Sequence, residues 1–383
     1  MGQPLGVGII GAGFIGRVHV KAARLAGARV VGVVDATSAS SESLAHDLQV
    51  DRVFSRAEDL IGDPNVQVVH VCVPNHLHAQ MVASALAAGK HVICEKPLAT
   101  TSEDAARLVD LAASAGLVGA VPFAYRYQPM VQEARDRLLR GLIGNIQLVQ
   151  GSYLQDWLFS PDQGGWRVDV RQSGRSRAFA DIGSHLCDLL EWVTGQRITV
   201  LIAELDTVTP TRPIGSFQTF APANEAEDER GSAAIMKVDV HTEDIACVMF
   251  RMSEGALGIM TVSQVSAGHK NAMRLALDGS LASLVFDGTM PDRLWIGRLD
   301  VNSEIVRDPA FLAPSAGRLS TLPAGHTLGF LDSFTALFSD VYSAIAGEPA
   351  ASFPDFNDGL RTVQLTDAVL ASAEQRTWVK VAT

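Results

Sequence analysis

Positive charge is in the minority in this chain. Lysine and arginine number 31 against 42 aspartates and glutamates, a formal net charge of −11 with histidine neutral. Binding phosphates needs a clustered positive field, so this balance argues against a nucleic-acid partner and against docking on an anionic membrane. Cysteine is scarce as well. Cys72, Cys94, Cys187 and Cys247 lie far apart, with no C-x-x-C and no metal-ligand spacing. A small secreted domain would carry more, in a framework, so we expect four buried thiols in a reducing cytoplasm. No stretch reaches the roughly 18 uncharged apolar residues of a membrane-spanning helix. Met1-Gly2-Gln3-Pro4 offers no basic segment leading into an apolar one, so no secretory signal is expected. Gly6 stands where a myristoylation signal wants Ser or Thr.

Apolar residues, by contrast, make up 47% of the 383 positions and charged ones 19%, which excludes a disordered chain. At roughly 150 residues per domain, two or three domains are expected. Apolar runs at 5–10, 29–34, 66–73, 91–94 and 117–121 alternate with helical patterns at 15–26, 76–88 and 102–115. That alternation predicts a parallel sheet with crossover helices, an α/β Rossmann-type domain over residues 1–122.

The texture then changes. Helical patterns at 128–140 and 181–194 are followed by short runs at 198–205, 244–252, 256–265, 272–278 and 282–286, with a further strand at 145–154. Tight turns at Ser253-Glu254-Gly255 and Asp278-Gly279-Ser280 predict a large, mostly antiparallel open sheet in a second, α+β domain, 123–383. Residues 206–240 and 300–325 read as long loops. Helical patterns at 327–346 and 358–373 close the chain, with room to pack back on the first domain.

Gly11-Ala12-Gly13-Phe14-Ile15-Gly16 follows the first strand and opens the first helix, and Asp35 ends the second strand. This order is the dinucleotide-binding fingerprint. The first glycine permits the turn, the second lets the backbone approach a pyrophosphate, and the third allows close helix–strand packing. The helix N-terminus supplies N–H donors for the phosphates. Asp35 would accept from a ribose 2′-OH and repel a 2′-phosphate, and Ala36-Thr37-Ser38-Ala39-Ser40 offers no basic partner for one. The sequence therefore favours NAD over NADP.

Pro74-Asn75-His76-Leu77-His78 and Glu95-Lys96-Pro97 each follow a strand of the parallel sheet, where ligands of such sheets sit. Glu95-Lys96 also reads as a solvated ion pair. The two histidines form a poor zinc signature, and a capping turn with Asn75 near the N-cap fits better. No metal is expected. Asp181 and His185 share a helix face at i,i+4. They suit a general base oriented by a carboxylate, and equally a surface pair. Tyr153-Leu154-Gln155-Asp156-Trp157 with Trp166-Arg167 mixes ring faces and polar donors in a way that suits a polyhydroxyl ligand, although core tryptophans explain the same letters.

Together these stretches resemble the glucose–fructose oxidoreductase and inositol dehydrogenase family, Gfo/Idh/MocA, over essentially the whole chain. The likeness rests on the glycine loop with Asp35, on Pro74-Asn75-His76-Leu77-His78, on Gly89-Lys90-His91-Val92 through Glu95-Lys96-Pro97, on Tyr125-Arg126, and on Asp181 with His185. Tyr153–Trp157, Trp166-Arg167, Gly268-His269-Lys270-Asn271 and Pro323-Ala324-Gly325-His326 resemble levoglucosan dehydrogenase and related sugar dehydrogenases of that family. The resemblance implies a catalytic trio at Lys96, Asp181 and His185, and a sheet domain carrying the substrate site and a homodimer or homotetramer interface. It places Gly11, Gly13, Phe14, Ile15, Gly16, Asp35, Pro74, Asn75, His78, Glu95 and Lys96 at the cofactor, and Tyr125, Gln155, Trp166, Arg167 and His326 at the substrate.

Two departures stand out. Ser173-Gly174-Arg175-Ser176-Arg177-Ala178-Phe179-Ala180 replaces the usual small residues, so Arg175 and Arg177 could read an acidic substituent or face solvent. Ala124 stands where relatives often carry Asn. The expected activity is NAD-dependent oxidation of a ring secondary hydroxyl of a sugar, anhydrosugar or cyclitol. His185 would take the proton, oriented by Asp181, with Lys96 stabilising the oxygen and activity rising as His185 loses its proton. The alternatives are an NADPH-dependent keto-sugar reductase, an internal redox cycle on tightly held NAD, and a non-catalytic sensor.

Overall fold

The computed structural model describes residues 4–35, 41–214 and 236–382. Six strands form the first sheet: β1 (Gly6–Ile10), β2 (Arg29–Val34), β3 (Val53–Phe54), β4 (Val68–Val71), β5 (His91–Cys94) and β6 (Gly119–Ala120). Their order is β3-β2-β1-β4-β5-β6, and all neighbours run parallel. β1 and β4 are buried along their whole length, as strands covered by helices on both faces must be. The order reverses between β1 and β4, the point at which open parallel sheets take ligands outside the carboxyl ends of their strands. The helices Ser41–Leu48 and Ala57–Gly62 complete the crossovers. They are short and weakly periodic, and for that reason the sequence pattern does not announce them.

The second sheet is larger. Its strands are β7 (Ile146–Leu154), β8 (Ile198–Asp206), β11 (Ile245–Met252), β12 (Leu257–Ser263), β13 (Ala272–Gly279), β14 (Ser283–Asp287), β15 (Arg293–Gly297), β16 (Asn302–Val306) and β17 (Val379–Lys380). The order is β16-β15-β14-β13-β7-β12-β11-β8-β17, antiparallel except for the parallel pair β7–β12. A separate hairpin pairs β9 (Thr211–Ile214) with β10 (Met236–Asp239). Both β16 and this hairpin fall where the composition reads as loop. Asn-Ser-Glu-Ile-Val in β16 has no apolar alternation because it is an exposed edge strand. Part of the 206–240 stretch, 215–235, lies outside the described residues.

Two closing helices tie the domains together. Phe330–Ile345 inserts Phe334, Leu337, Phe338, Val341 and Tyr342 into the core that holds Val7, Ile9 and Val20. Phe356–Gln375 straddles both domains: Phe356 and Val363 join the first-domain core, while Leu365, Ala368 and Val369 join the second. Its start is set by Asp355, whose carboxylate accepts from the Asn357 and Asp358 amides at 2.8 and 3.2 Å. Three of the cysteines are buried, but Cys247 is exposed. The strict alternation of β11 places it on the open face of the second sheet.

Candidate active site

The glycine loop meets the geometry of a phosphate cradle. Gly11 has φ +97°, and a Cβ there would collide with the Cys72 carbonyl. A Cβ on Gly16 would collide with the Gly11 carbonyl, so the third glycine is needed for packing. At Gly13 a Cβ would meet no protein atom within 4 Å. That face is open, as a backbone approached by a pyrophosphate requires. The helix Phe14–Leu25 begins with no side-chain cap and no acid in its first turn, so its N-terminal field is left for an anion. Asp35 follows β2 at the crevice edge, and Ala36–Ser40 lie outside the described residues. These residues fit a dinucleotide.

The loops after β4 and β5 are fastened to each other. His78 is buried, and its two ring nitrogens lie 2.6 and 2.8 Å from the Pro97 and Val73 carbonyl oxygens. We therefore read His78 as a staple between loops rather than a cofactor ligand. Asn75 is not a helix cap: Pro74 occupies the N-cap position, and the Asn75 amide donates to the Ser173 carbonyl at 2.9 Å, bridging to the second domain. Glu95 and Lys96 are not a solvated pair. Glu95 is buried against His19 at 3.1 Å, and Lys96 reaches across the domain junction.

Lys96 Nζ donates to the Asp181 carboxylate and, at 2.9 Å, to the Asp181 carbonyl. The other carboxylate oxygen accepts from Gln264 Nε2 at 2.9 Å and lies 3.9 Å from Arg167 Nε. Burial pushes the Asp181 carboxyl up, but Lys96, Arg167 and His185 outweigh it and hold the group at about 2. Asp181 is thus committed to the lysine side. It does not orient His185 through Nδ1, because that nitrogen is buried with no hydrogen-bond partner among the described residues. The expectation that Asp181 orients the His185 ring is corrected on this point. Asp181 sits in a π-helical turn, Phe179–Gly183, before the regular helix Ser184–Thr194, and this displaces the two side chains from simple i,i+4 register.

His185 packs edge-on against Phe123 and Tyr125, with ring centroids at 5.7 and 5.5 Å, and tilted against Tyr153. Burial, reinforced by Lys96, lowers its pKa to about 3. The ring is therefore neutral across the physiological range. The wall beside it is a hydroxyl–amide cluster. Tyr125 and Tyr153 share a 2.6 Å hydroxyl contact. Asn271 donates to Tyr125 and accepts from Tyr153, and Gln155 donates to Asn271 and accepts from Trp157 Nε1. The Arg167 guanidinium lies 4.5 Å from the Trp166 ring centroid and 5.7 Å from that of Trp157.

Tyr125, Gln155, Trp166 and Arg167 therefore converge around Asp181 and His185. His326 does not join them; it stands in an exposed loop whose carbonyl accepts from Arg307. The arginines of the departing segment are engaged by other protein groups. Arg177 is fully buried on Asp244 at 2.5 Å, with Thr242 and Gln264, and the exposed Arg175 pairs with Glu374 at 2.5 Å. The residue that sequence reasoning missed is Gln264. Arg177 donates to its Oε1 at 3.2 Å, which turns its amide N–H group toward Asp181. Its one signal is an amide directly after a largely apolar strand.

A parallel dinucleotide-binding sheet joined to a pocket with a neutral buried histidine and a lysine–carboxylate pair defines an NAD-dependent oxidoreductase. Comparisons with known proteins agree. The model of an oxidoreductase family with an NAD-binding Rossmann fold matches residues 5–123, and the GFO/IDH/MocA C-terminal domain model matches 131–285. Levoglucosan dehydrogenase of Pseudarthrobacter phenanthrenivorans is 30% identical over 99% of this chain and 98% of its own. Inositol 2-dehydrogenase of Agrobacterium fabrum is 44% identical over 27% of this chain and 32% of its own. A solved structure of levoglucosan dehydrogenase with NADH and levoglucosan superposes with TM-score 0.87 at 29% identity, covering 100% of both chains. The chain belongs to the Gfo/Idh/MocA oxidoreductase family.

Proposed function

We propose that this protein oxidises a ring secondary hydroxyl of a sugar, anhydrosugar or cyclitol to the ketone, using NAD. The observation that carries the proposal is the neutral His185 ring, buried beside Lys96 and facing the hydroxyl–amide wall of Tyr125, Tyr153, Gln155 and Asn271. The similarity to levoglucosan dehydrogenase over nearly the whole chain supports it.

A nicotinamide held by the glycine loop and Asp35 would supply the hydride acceptor for the carbinol carbon. His185 Nε2, the nitrogen opposite the sealed Nδ1, takes the hydroxyl proton as general base. The low basicity of this ring means the hydroxyl must be acidified, and the Lys96 ammonium does so by hydrogen-bonding the same oxygen and stabilising its developing charge. Asp181 and Gln264 hold the lysine in place. The amide and hydroxyl wall supplies donors and acceptors for the remaining hydroxyls, and the Trp157 and Trp166 rings supply apolar faces.

For assembly, we propose a homodimer or homotetramer through the open face of the second sheet. Helices cover one face, while the other exposes Met249, Ile259 and Trp295 at 43%, 47% and 36%. A monomeric mass by light scattering at micromolar concentration would contradict this. The activity is tested by reduced-nicotinamide absorbance across a panel of sugars, anhydrosugars and cyclitols with NAD, then NADP. Turnover of a neutral ring polyol with NAD is expected. Activity confined to NADPH and keto-sugars would replace this reading with the reductase.

A further inference from the structure

A line of buried polar groups runs from the active-site floor to the far side of the first domain, and the mechanism above makes no use of it. Glu95 Oε1 lies 3.1 Å from His19 Nε2, His19 Nδ1 lies 2.9 Å from His70 Nδ1, and His70 Nε2 lies 2.9 Å from the Tyr342 hydroxyl. His19 and His70 are wholly inaccessible, and Glu95 and Tyr342 are buried. Phe334 and Phe338 pack around the two rings. The four residues come from the helix Phe14–Leu25, β4, the end of β5 and the helix Phe330–Ile345.

A hydrogen-bond chain through two neutral imidazoles can run in only two directions, because each ring has one donor and one acceptor. In one, Tyr342 donates to His70 Nε2, His70 Nδ1–H to His19 Nδ1, and His19 Nε2–H to an ionised Glu95. In the other, a protonated Glu95 donates and every bond reverses. The reverse direction leaves the buried Tyr342 proton without an acceptor, since His70 is the hydroxyl's hydrogen-bond partner among the described residues. An orphaned buried donor is costly. The reverse direction also puts an uncharged acid next to Lys96, whose backbone N–H points at Glu95 Oε2 at 3.3 Å.

We propose that Tyr342, His70 and His19 form a one-way hydrogen-bond chain that keeps Glu95 ionised. Glu95 is then a fixed counter-charge for the Lys96 ammonium and for the imidazolium formed at His185. The second half of this assignment rests on the proposed oxidation. Asp181, bonded to Lys96 and Gln264, balances one positive charge; the imidazolium formed at His185 adds a second, which Glu95 balances. The charged and titratable groups facing Glu95 are His19, Lys96, His185, His78, Cys72 and Cys94. Burial raises the Glu95 pKa, but the His19 hydrogen bond, the charge His19 carries when protonated, and then the Lys96 charge bring it below the usual carboxylate value. Burial, then His19 beside it, holds His70 well below the ordinary histidine range, so that ring stays neutral. His185 in turn feels Glu95 as a charge that favours its protonated form.

Nitrogen-15 NMR of histidine-labelled protein at pH 7 tests the chain without substrate. The expected result is His19 as the Nε2–H tautomer and His70 as the Nδ1–H tautomer. Opposite tautomers, or a cationic ring at either position, overturn the proposal. Tyr342→Phe removes the donor that fixes the direction. It should admit the Nε2–H form of His70 and lower kcat about tenfold, with the KM for NAD unchanged. Glu95→Gln should lower kcat about 10²-fold, in the range of a lost electrostatic stabiliser. If Glu95→Gln keeps kcat within about twofold, the counter-charge role is wrong even with the expected tautomers. If Tyr342→Phe does not fold, the wild-type tautomers and Glu95→Gln decide. Expected tautomers in a protein that oxidises no sugar would leave the chain standing and sink the oxidation reading together with the counter-charge role.

Discussion

The cofactor cradle and the catalytic pocket are built on opposite principles. The cradle works by omission: no Cβ at Gly11, Gly13 or Gly16, no cap on the helix Phe14–Leu25, no acid in its first turn. The pocket works by saturation. Lys96, Asp181, Gln264, Arg177 and Asp244 form a continuous braced network, and beside it stands His185, whose Nδ1 is buried without a partner among the described residues. A site of the first kind can be emptied by adding a methyl group. A site of the second kind is disabled by removing one member, while the fold that carries the cradle stays intact.

The largest effects should therefore come from the pocket and leave the cradle untouched. His185→Ala removes the general base, a loss of about 10²–10⁴-fold in kcat. Lys96→Met keeps the side-chain length and removes the charge, a loss of about 10²–10³-fold. Both variants should bind NAD normally in calorimetry. Retention of most of kcat by His185→Ala would send the proton to Lys96 or Tyr125 and end the division of labour argued here.

The converse change is Gly13→Ala. Its Cβ would meet no protein atom, so the melting temperature should match wild type. The methyl group would stand where the pyrophosphate approaches, weakening NAD binding by at least about tenfold, or about 1.4 kcal/mol. A drop in both stability and affinity would show that Gly13 serves packing, as Gly16 does.

How much of this was legible in the sequence follows the same division. The cradle is local. Strand, glycines, helix and Asp35 stand in one short stretch, so spacing alone describes it. The strands at 91–94 and the helix at 102–115 are likewise found at the bounds their patterns predict. The pocket is not local. Lys96 and Asp181 meet across 85 positions, and Gln264 across 83 more from Asp181. The i,i+4 rule put Asp181 and His185 on one face, but the π-helical turn shifts them from that register, and spacing alone could not show that Lys96 would claim the carboxylate. His70 interrupts an apolar strand, which marks it as unusual without naming His19 as its partner. Edge strands such as β16 were missed because an edge facing water carries no apolar alternation.

Protonation gives a smaller, graded test of the pocket. The folded state holds His185 at about 3 against an ordinary value near 6.5, so the unfolded chain binds its proton first. That contribution to stability is complete above about pH 6.5 and is lost as pH falls toward 3. His70 and His78, also lowered by burial, act in the same direction. Asp181, held at about 2 against 3.8, adds a loss at still lower pH. The melting temperature should fall steadily between about pH 6.5 and 4, and His185→Ala should flatten that slope. By the same reasoning, kcat/KM should show no His185 step between pH 5 and 8. The rise in activity as His185 loses its proton is thereby moved to well below pH 5. A clear inflection near pH 6.5 that vanishes in His185→Ala would show the ring to be far less desolvated than its packing against Phe123 and Tyr125 indicates.

The smallest effect should come from the segment where sequence alone offered a charged substrate contact. Arg175 and Arg177 are two residues apart and have opposite surroundings. The Arg177 side chain is 1% exposed and locked to Asp244, whereas that of Arg175 is 66% exposed and meets the comparably exposed Glu374. A surface pair of this kind contributes about 0–1 kcal/mol to stability, and no contact joins Arg175 to Lys96, Asp181 or His185. Arg175→Ala should therefore leave KM for neutral and for acidic sugars unchanged within about twofold, with the melting temperature within a degree or two of wild type. A selective rise in KM for acidic sugars would mean that Arg175 leaves Glu374 when substrate binds and turns into the pocket. The braced network would then have a mobile member at its rim.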